Sequence, residues 1–225
     1  MIDNRPKLLI FDVNETLLDL SPLKSTINEV LNSESAFDIW FQTLLHYSLV
    51  ETLTESFQDF SSIARATLKM VSFKLKVQLS ESETTSILGE IKKLPPHSDV
   101  SEALERLDKS GFLLVAFSNG NKEVLKKQLQ FAGIDHFFNA IFSVEDIRQY
   151  KPKATSYRHV VNEMKIPEKD TMMIAAHAWD IVGAKRTGLK TAFIEREGKI
   201  PYPLGENPDI SGKTVLDIAK KLIAI

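Results

Sequence analysis

The side chains best equipped for chemistry in this sequence come directly after short apolar runs. In "LLIFDVNETLLDL" (8–20) such a run ends at Asp12, and Asn14, Glu15 and Thr16 follow before hydrophobicity resumes. "FLLVAFSN" (112–119) ends on Ser118 and Asn119, while "TMMIAAHA" (171–178) delivers His177, with Trp179 and Asp180 just beyond. A carboxylate at the tip of a buried strand is expensive to desolvate unless it is paired or used in a reaction. Asp12 is therefore expected either to be paired or to take part in a reaction. In an open α/β sheet, ligands bind beyond the carboxyl ends of the strands, so the three polar clusters are expected to face one another.

The elements that must position these groups are legible in the pattern. The runs 7–13, 112–119 and 171–178 are nearly continuously apolar, as expected of strands covered on both faces of a parallel sheet, and "KTAFIE" (190–195) reads as a further strand. Helical periodicity marks 122–133, 154–165 and 179–188, with stops at glycine or before Pro167. Strands alternating with helices imply right-handed βαβ units and a doubly wound, Rossmann-like α/β core. Residues 21–93 break that alternation. "AFDIWFQTLLHYSLVETL", "FQDFSSIARATLKMVSFKLKVQL" and "SESETTSILGEIKKL" carry helical apolar spacing, the last with an acidic first turn. The expected organisation is a core of 1–20 and 94–225 interrupted by an all-helical cap of 21–93. The prolines of "LPPHSDV" (94–100) favour an extended return that serves as one side of a hinge. The segment "EREGKIPYPLGENPD" (195–209) reads as ordered surface connection without an assigned role.

Composition narrows the function classes. The chain has 225 residues, 43% hydrophobic and 26% charged, which suits a globular protein with a sizeable core. Its formal charge of −2 gives no basic surplus for nucleic acid and no charge block for a membrane surface. The lack of cysteine excludes disulfides, thiolate metal sites and a cysteine nucleophile, and fits a reducing compartment, so a cytoplasmic location is expected. "MIDNRPKLLIF" does not read as a secretory signal, and no apolar stretch reaches the roughly 20 residues that span a bilayer. His46, His97, His136 and His159 form no spaced pair that suggests a metal site.

In order and arrangement, Asp12 in "FDVNET", Ser118 in "FSNGN", Lys151 in "QYKPKATSY" and Asp180 in "AHAWDIVGAKRTG" resemble the haloacid dehalogenase superfamily. Within it, "SNG", "KP" followed by Tyr157, "AWD" plus a glycine, and the Trp40 to Tyr47 spacing resemble the L-2-haloacid dehalogenases. The resemblance covers nearly the whole chain. It implies that Asp12 attacks C2 of a short 2-haloalkanoate and that the resulting ester is then hydrolysed. Lys151 would keep Asp12 ionised. Thr16, Ser118 and backbone N–H groups are candidates for holding the substrate carboxylate, and Asn119 N–H with aromatic edges for the halide. Phe41, Tyr157 and Trp179 are the expected aromatic contacts. Phe41 stands where these dehalogenases carry an arginine for the halide, and a neutral ring is a weaker electrostatic partner than guanidinium.

A second departure introduces new chemistry. Most of these dehalogenases have glycine three residues after the nucleophile and Ser-x-Asn ahead of "AWD"; here the positions hold Glu15 and Ala175-Ala176-His177. A carboxylate that orients a histidine makes a general base, so His177 held by Glu15 is expected to activate the hydrolytic water, as in a divergent subgroup with a His–Glu pair. Asp180 would then be mainly structural, anchoring Lys151 or its turn. The expected partners are a small 2-haloacid and halide, with a homodimer possible as in relatives, and no cofactor is expected. Two alternatives stay open. One is a Mg²⁺-dependent phosphatase of the same superfamily, against which stand Asn14 in place of a second aspartate and Ala176 in place of a metal-binding acid. The other is an inactive binding protein on the same scaffold.

Overall fold

The computed structural model describes residues 5–224, so the first four residues of the expected core segment, and Ile225, lie outside the described residues. Among the described residues, six parallel strands form one sheet in the order β3-β2-β1-β4-β5-β6. They are β1 (Leu8–Phe11), β2 (Leu113–Ser118), β3 (Ala140–Ser143), β4 (Thr171–Ala175), β5 (Lys190–Ile194) and β6 (Ile210–Gly212). The central strand β1 pairs on both sides, with Ile10 opposite Val115 and Met173, and all four of its residues are buried. Because successive side chains point to opposite faces, burial of all four means that both faces are covered, which is why the sequence is continuously apolar rather than alternating. The architecture is the doubly wound α/β fold expected.

Helices α5 (Val100–Lys109), α6 (Lys122–Phe131), α7 (Ala154–Met164), α8 (Ala178–Arg186) and α9 (Val215–Ile223) accompany the sheet. Between β1 and α5 the chain builds α1 (Ser21–Val30), α2 (Ala36–Leu53), α3 (Phe60–Lys74) and α4 (Glu81–Gly89). These starts are set locally. The Asp59 carboxylate accepts the N–H groups of Ser61 and Ser62 at the head of α3, and Ser80 with Glu83 forms a capping box on α4. The buried Trp40 on α2 donates its indole N–H to the Ala64 carbonyl on α3 at 3.0 Å, tying the two together. The chain leaves and re-enters the sheet region side by side, with Asp19 N–H on the Pro95 carbonyl at 2.8 Å and His97 N–H on Leu17 at 2.9 Å. No described helix is long and apolar enough to cross a membrane.

The differences from the expected elements have local causes. The first strand stops at Phe11 instead of 13 because Leu17 and Leu18 turn their N–H groups back onto the Val13 carbonyl. The run 171–178 ends as a strand at Ala175, since the Ala176 N–H is taken by the Thr16 hydroxyl and His177 becomes the residue before α8. Strands β3 and β6 were not expected. They have four and three residues, too few for a periodicity, and they exist by pairing with β2 and β5.

Candidate active site

The carboxyl ends of β1, β2 and β4 meet at Asp12, which is 5% exposed. Its backbone N–H still bonds across the sheet to the Ile174 carbonyl at 3.0 Å, so the side chain is aimed by the sheet itself. Oδ1 accepts from Lys151 Nζ at 3.0 Å. Oδ2 accepts from the Thr16 hydroxyl at 2.8 Å and lies 2.9 Å from His177 Nδ1. The two oxygens are thus unequal, Oδ1 having one donor and Oδ2 two.

Lys151 has no solvent-exposed side-chain surface, and its ammonium spends all three protons, on Asp12, on Asp180 Oδ2 at 2.6 Å and on the Phe117 carbonyl at 3.2 Å. Asp180, in the first turn of α8, takes its other bond from the Tyr157 hydroxyl at 2.6 Å. The close approach needs Gly183: a Cβ there would lie 2.4 Å from the Pro152 side chain and 2.7 Å from the Tyr157 hydroxyl. Burial works against the Lys151 charge, but the Asp12 and Asp180 carboxylates outweigh it and raise its pKa. For Asp12, burial is likewise outweighed, by Lys151 and then His177, and its carboxyl is held well below the usual range. Asp180 moves the other way: burial, helped by the neighbouring Asp12 charge, raises it despite Lys151.

On the opposite side of Asp12 stands His177. Its ring is stacked 5.1 Å from that of Trp179 and lies 6.2 Å from that of Phe41, which itself stacks on Phe37. Nε2 is 2.8 Å from Glu15 Oε2. Glu15 reaches this place from a backbone with φ +59°, a left-handed conformation that non-glycine residues seldom adopt. A carboxylate on each ring nitrogen favours the imidazolium form at rest. Burial opposes that charge, but the bonds to Asp12 and Glu15 prevail and push its pKa up to about 9. The Glu15 carboxyl is lowered, against burial, by His177 and then by Lys199, whose Nζ sits 3.0 Å from Oε1.

His177 also makes the stability of the fold depend on pH. A group whose proton is held more tightly in the folded state, about 9 against an ordinary 6.5, contributes stability that is complete below about pH 6.5 and lost as the pH rises through 9. The loss attributable to this one group is on the order of 3 kcal/mol. Urea unfolding followed across that window should show a falling midpoint in the native protein and a much flatter one in His177→Ala. Equal slopes in the two proteins would refute the charged resting state.

The expected site residues are brought together, with three used differently from the sequence expectation. Thr16 was a candidate donor to substrate, but its single hydroxyl proton goes to Asp12 Oδ2 while its oxygen accepts the Ala176 N–H at 2.9 Å. The Asn119 side chain is committed to the Lys151 backbone, accepting its N–H at 2.9 Å and donating to its carbonyl at 3.4 Å. Tyr157 is fully buried beside Asp180 and so positions that carboxylate instead of meeting a ligand. Ser118 accepts the Gly120 N–H at 2.9 Å and keeps its own proton to donate. A cavity of about 320 Å³ reaches Lys151, Asn119 and Trp179 beneath Gln42, Leu45 and His46 of α2. Lys199 was missed, since nothing in a loop lysine's sequence context points to a partner 184 positions away.

The donor set does not fit a divalent cation. The two carboxylates that would face it, Asp12 and Asp180, already share the Lys151 ammonium. Asn14 offers an amide oxygen that Gln128 Nε2 occupies at 3.0 Å, and Ala176 offers no side-chain ligand.

Comparison with known proteins places the chain in a family. The family model described as haloacid dehalogenase-like hydrolase matches residues 9–194. The (S)-2-haloacid dehalogenase 4A of Burkholderia cepacia is 28% identical over 203 residues, covering 89% of this chain and 87% of its own. The L-2-haloacid dehalogenase of Xanthobacter autotrophicus superposes with a TM-score of 0.89 at 22% identity, over 96% of this chain and 97% of that one. The same Xanthobacter enzyme with chloropropionic acid covalently bound superposes with a TM-score of 0.87, at the same identity and coverage. With the family model matching residues 9–194, most of the chain, the chain belongs to the haloacid dehalogenase-like hydrolases.

Proposed function

We propose that this protein hydrolyses short L-2-haloalkanoates to 2-hydroxy acids through an ester on Asp12, and that the His177–Glu15 pair prepares the water that breaks the ester. The observation that carries the reading is one imidazole held between the nucleophile and a second carboxylate, at 2.9 and 2.8 Å. Dehalogenase names among the relatives and the covalent chloropropionic acid adduct of a fold neighbour support it.

The substrate enters the cavity under α2, its carboxylate received by Ser118 and neighbouring backbone N–H groups. Asp12 Oδ1, the oxygen with a single donor, attacks C2 from the face opposite the halogen. The carbon–oxygen bond forms as the carbon–halogen bond breaks, the halide leaves with the bonding pair, and C2 inverts. Phe41 and Trp179 supply aromatic edges around the leaving halide. Helices of 21–93 act as a cap over this step, excluding bulk water, with the paired segments at 17–19 and 95–97 as their link to the core.

Esterification removes the Asp12 charge, and with it a principal reason for the imidazolium. His177 releases its proton toward Glu15 and solvent and becomes a neutral base. It then takes a proton from water as the oxygen attacks Asp12 Cγ, and returns one to the departing 2-hydroxy acid. Asp12 is regenerated with one oxygen from water, and the net yield is hydroxy acid, halide and a proton.

Repeated turnover in ¹⁸O-labelled water tests this. Label is expected in the Asp12 carboxylate by peptide mass analysis, together with halide release and a product of inverted configuration. An unlabelled Asp12 beside labelled product would mean that water attacks substrate directly. Turnover of phosphate esters without halide release would transfer the reading to the phosphatase alternative.

A further inference from the structure

The loop after β5 does more than connect. Arg196 and Lys199 close a turn, with Lys199 N–H on the Arg196 carbonyl at 2.9 Å and Gly198 at φ +73°. Both side chains of that turn grip the residues behind the nucleophile. Arg196 donates to the Thr16 carbonyl at 2.9 Å and is anchored by Asp99 at 2.7 Å, while Lys199 takes the Glu15 oxygen that His177 leaves open. The result is an unbroken chain of charges from the buried nucleophile to the surface, Asp12, His177, Glu15, Lys199, in alternating sign.

We infer that Lys199 is a positioning residue for ester hydrolysis: by clamping Glu15 it fixes the carboxylate's reach to His177 and limits how tightly the pair holds a proton once Asp12 is esterified. The inference rests on the His177–Glu15 reading given above. Glu15 alone makes His177 a stronger base but also a group that stays protonated, and therefore useless, to higher pH. A cation on the far oxygen of Glu15 moderates that effect.

The other charges near the pair are accounted for. Asp12, with Lys151 and Asp180 behind it, faces Nδ1 of His177. The cavity on the far side of Glu15 is walled by Asp19, Lys24, Asp38, His97, Arg196 and Glu197. Among these, His97 touches Glu15 only at its backbone carbonyl, at 3.3 Å, so among the described residues Lys199 is the cation on the Glu15 carboxylate itself, apart from His177. Its side chain is 30% exposed, which makes the pair one whose worth as a plain salt bridge is small. Its effect is to be sought in the titration of its neighbour.

Rapid-quench mixing of the full-length enzyme with L-2-bromopropionate, read by intact-protein mass, resolves formation and decay of the ester. In the native protein, ester decay should slow on the acid side as His177 regains its proton. In Lys199→Met that limb should move up by about one pH unit, so that decay below it slows about tenfold. Lys199→Arg, which keeps the cation, should return the limb to its native position. If the limb stays in place in Lys199→Met, including when only thermal stability falls, Lys199 is a surface clasp and the inference fails while the His177 base stands. If native ester decay has no acid limb, the base assignment fails, and this inference with it.

Discussion

His177→Ala is expected to consume one equivalent of L-2-haloacid per site and then stop, with the alkyl group retained on Asp12. The nucleophile survives this substitution because Asp12 keeps its bonds to Lys151 and Thr16, so halide release in the first turnover persists. What is lost is the group facing the ester from the Oδ2 side. Positioned general bases contribute about 10²- to 10⁴-fold, and the fall in steady-state turnover should lie in that range. Glu15→Gln, which leaves the imidazole in place without its second carboxylate, should give a smaller fall with the same accumulated adduct. The mass of the intact protein after a burst of substrate reads the outcome. A variant that releases halide repeatedly at a native rate, or one that loses only substrate affinity and never carries the adduct, would remove His177 from the hydrolytic step.

Lys151→Met is expected to damage both the fold and the first chemical step. The native ammonium is fully buried and saturated by two carboxylates and a carbonyl. Taking it away leaves Asp12 and Asp180 without their shared cation inside the protein, and breaking a buried pair by deleting one partner costs about 3–5 kcal/mol. The strain is relieved by protonation of one of the two carboxylates. Asp12 still has His177, whereas Asp180 keeps the Tyr157 hydroxyl. Even so, Lys151 is the group that most lowers the Asp12 carboxyl, and without it the fraction of ionised nucleophile at neutral pH falls. Urea denaturation should report the lost stability, and ester formation by mass should be abolished at neutral pH and partly recovered at higher pH. Asp180→Asn makes the useful comparison, because it retains the Lys151 bond to Asp12 and should keep much of the alkylation. Native alkylation by Lys151→Met would show that the lysine serves the fold alone.

Strands buried on both faces have to be continuously apolar, so β1, β2, β4 and β5 stood out, and polar residues at their ends had to lie in one crevice. The ends of those strands were less legible, since β1 and β4 stop where Val13 and Thr16, respectively, divert backbone bonds from the ladder. The short edge strands β3 and β6 left no signal, being defined by pairing alone. The amphipathic α5 and α9, which pack against each other beside the sheet, had likewise not been singled out.

From the chain of letters alone follow the parallel core, the helical segment between β1 and β2, and the identity of the acid, lysine, serine and histidine at the site. Those are properties of residue type and order. Tertiary structure alone decided which atoms meet: that His177 lies between two carboxylates, that Thr16, Asn119 and Tyr157 serve neighbouring residues, and that Lys199 closes on Glu15. Hydrogen bonds and ion pairs depend on distances of a few tenths of an ångström between residues far apart in the chain, and only the packed sheet and its loops set those distances.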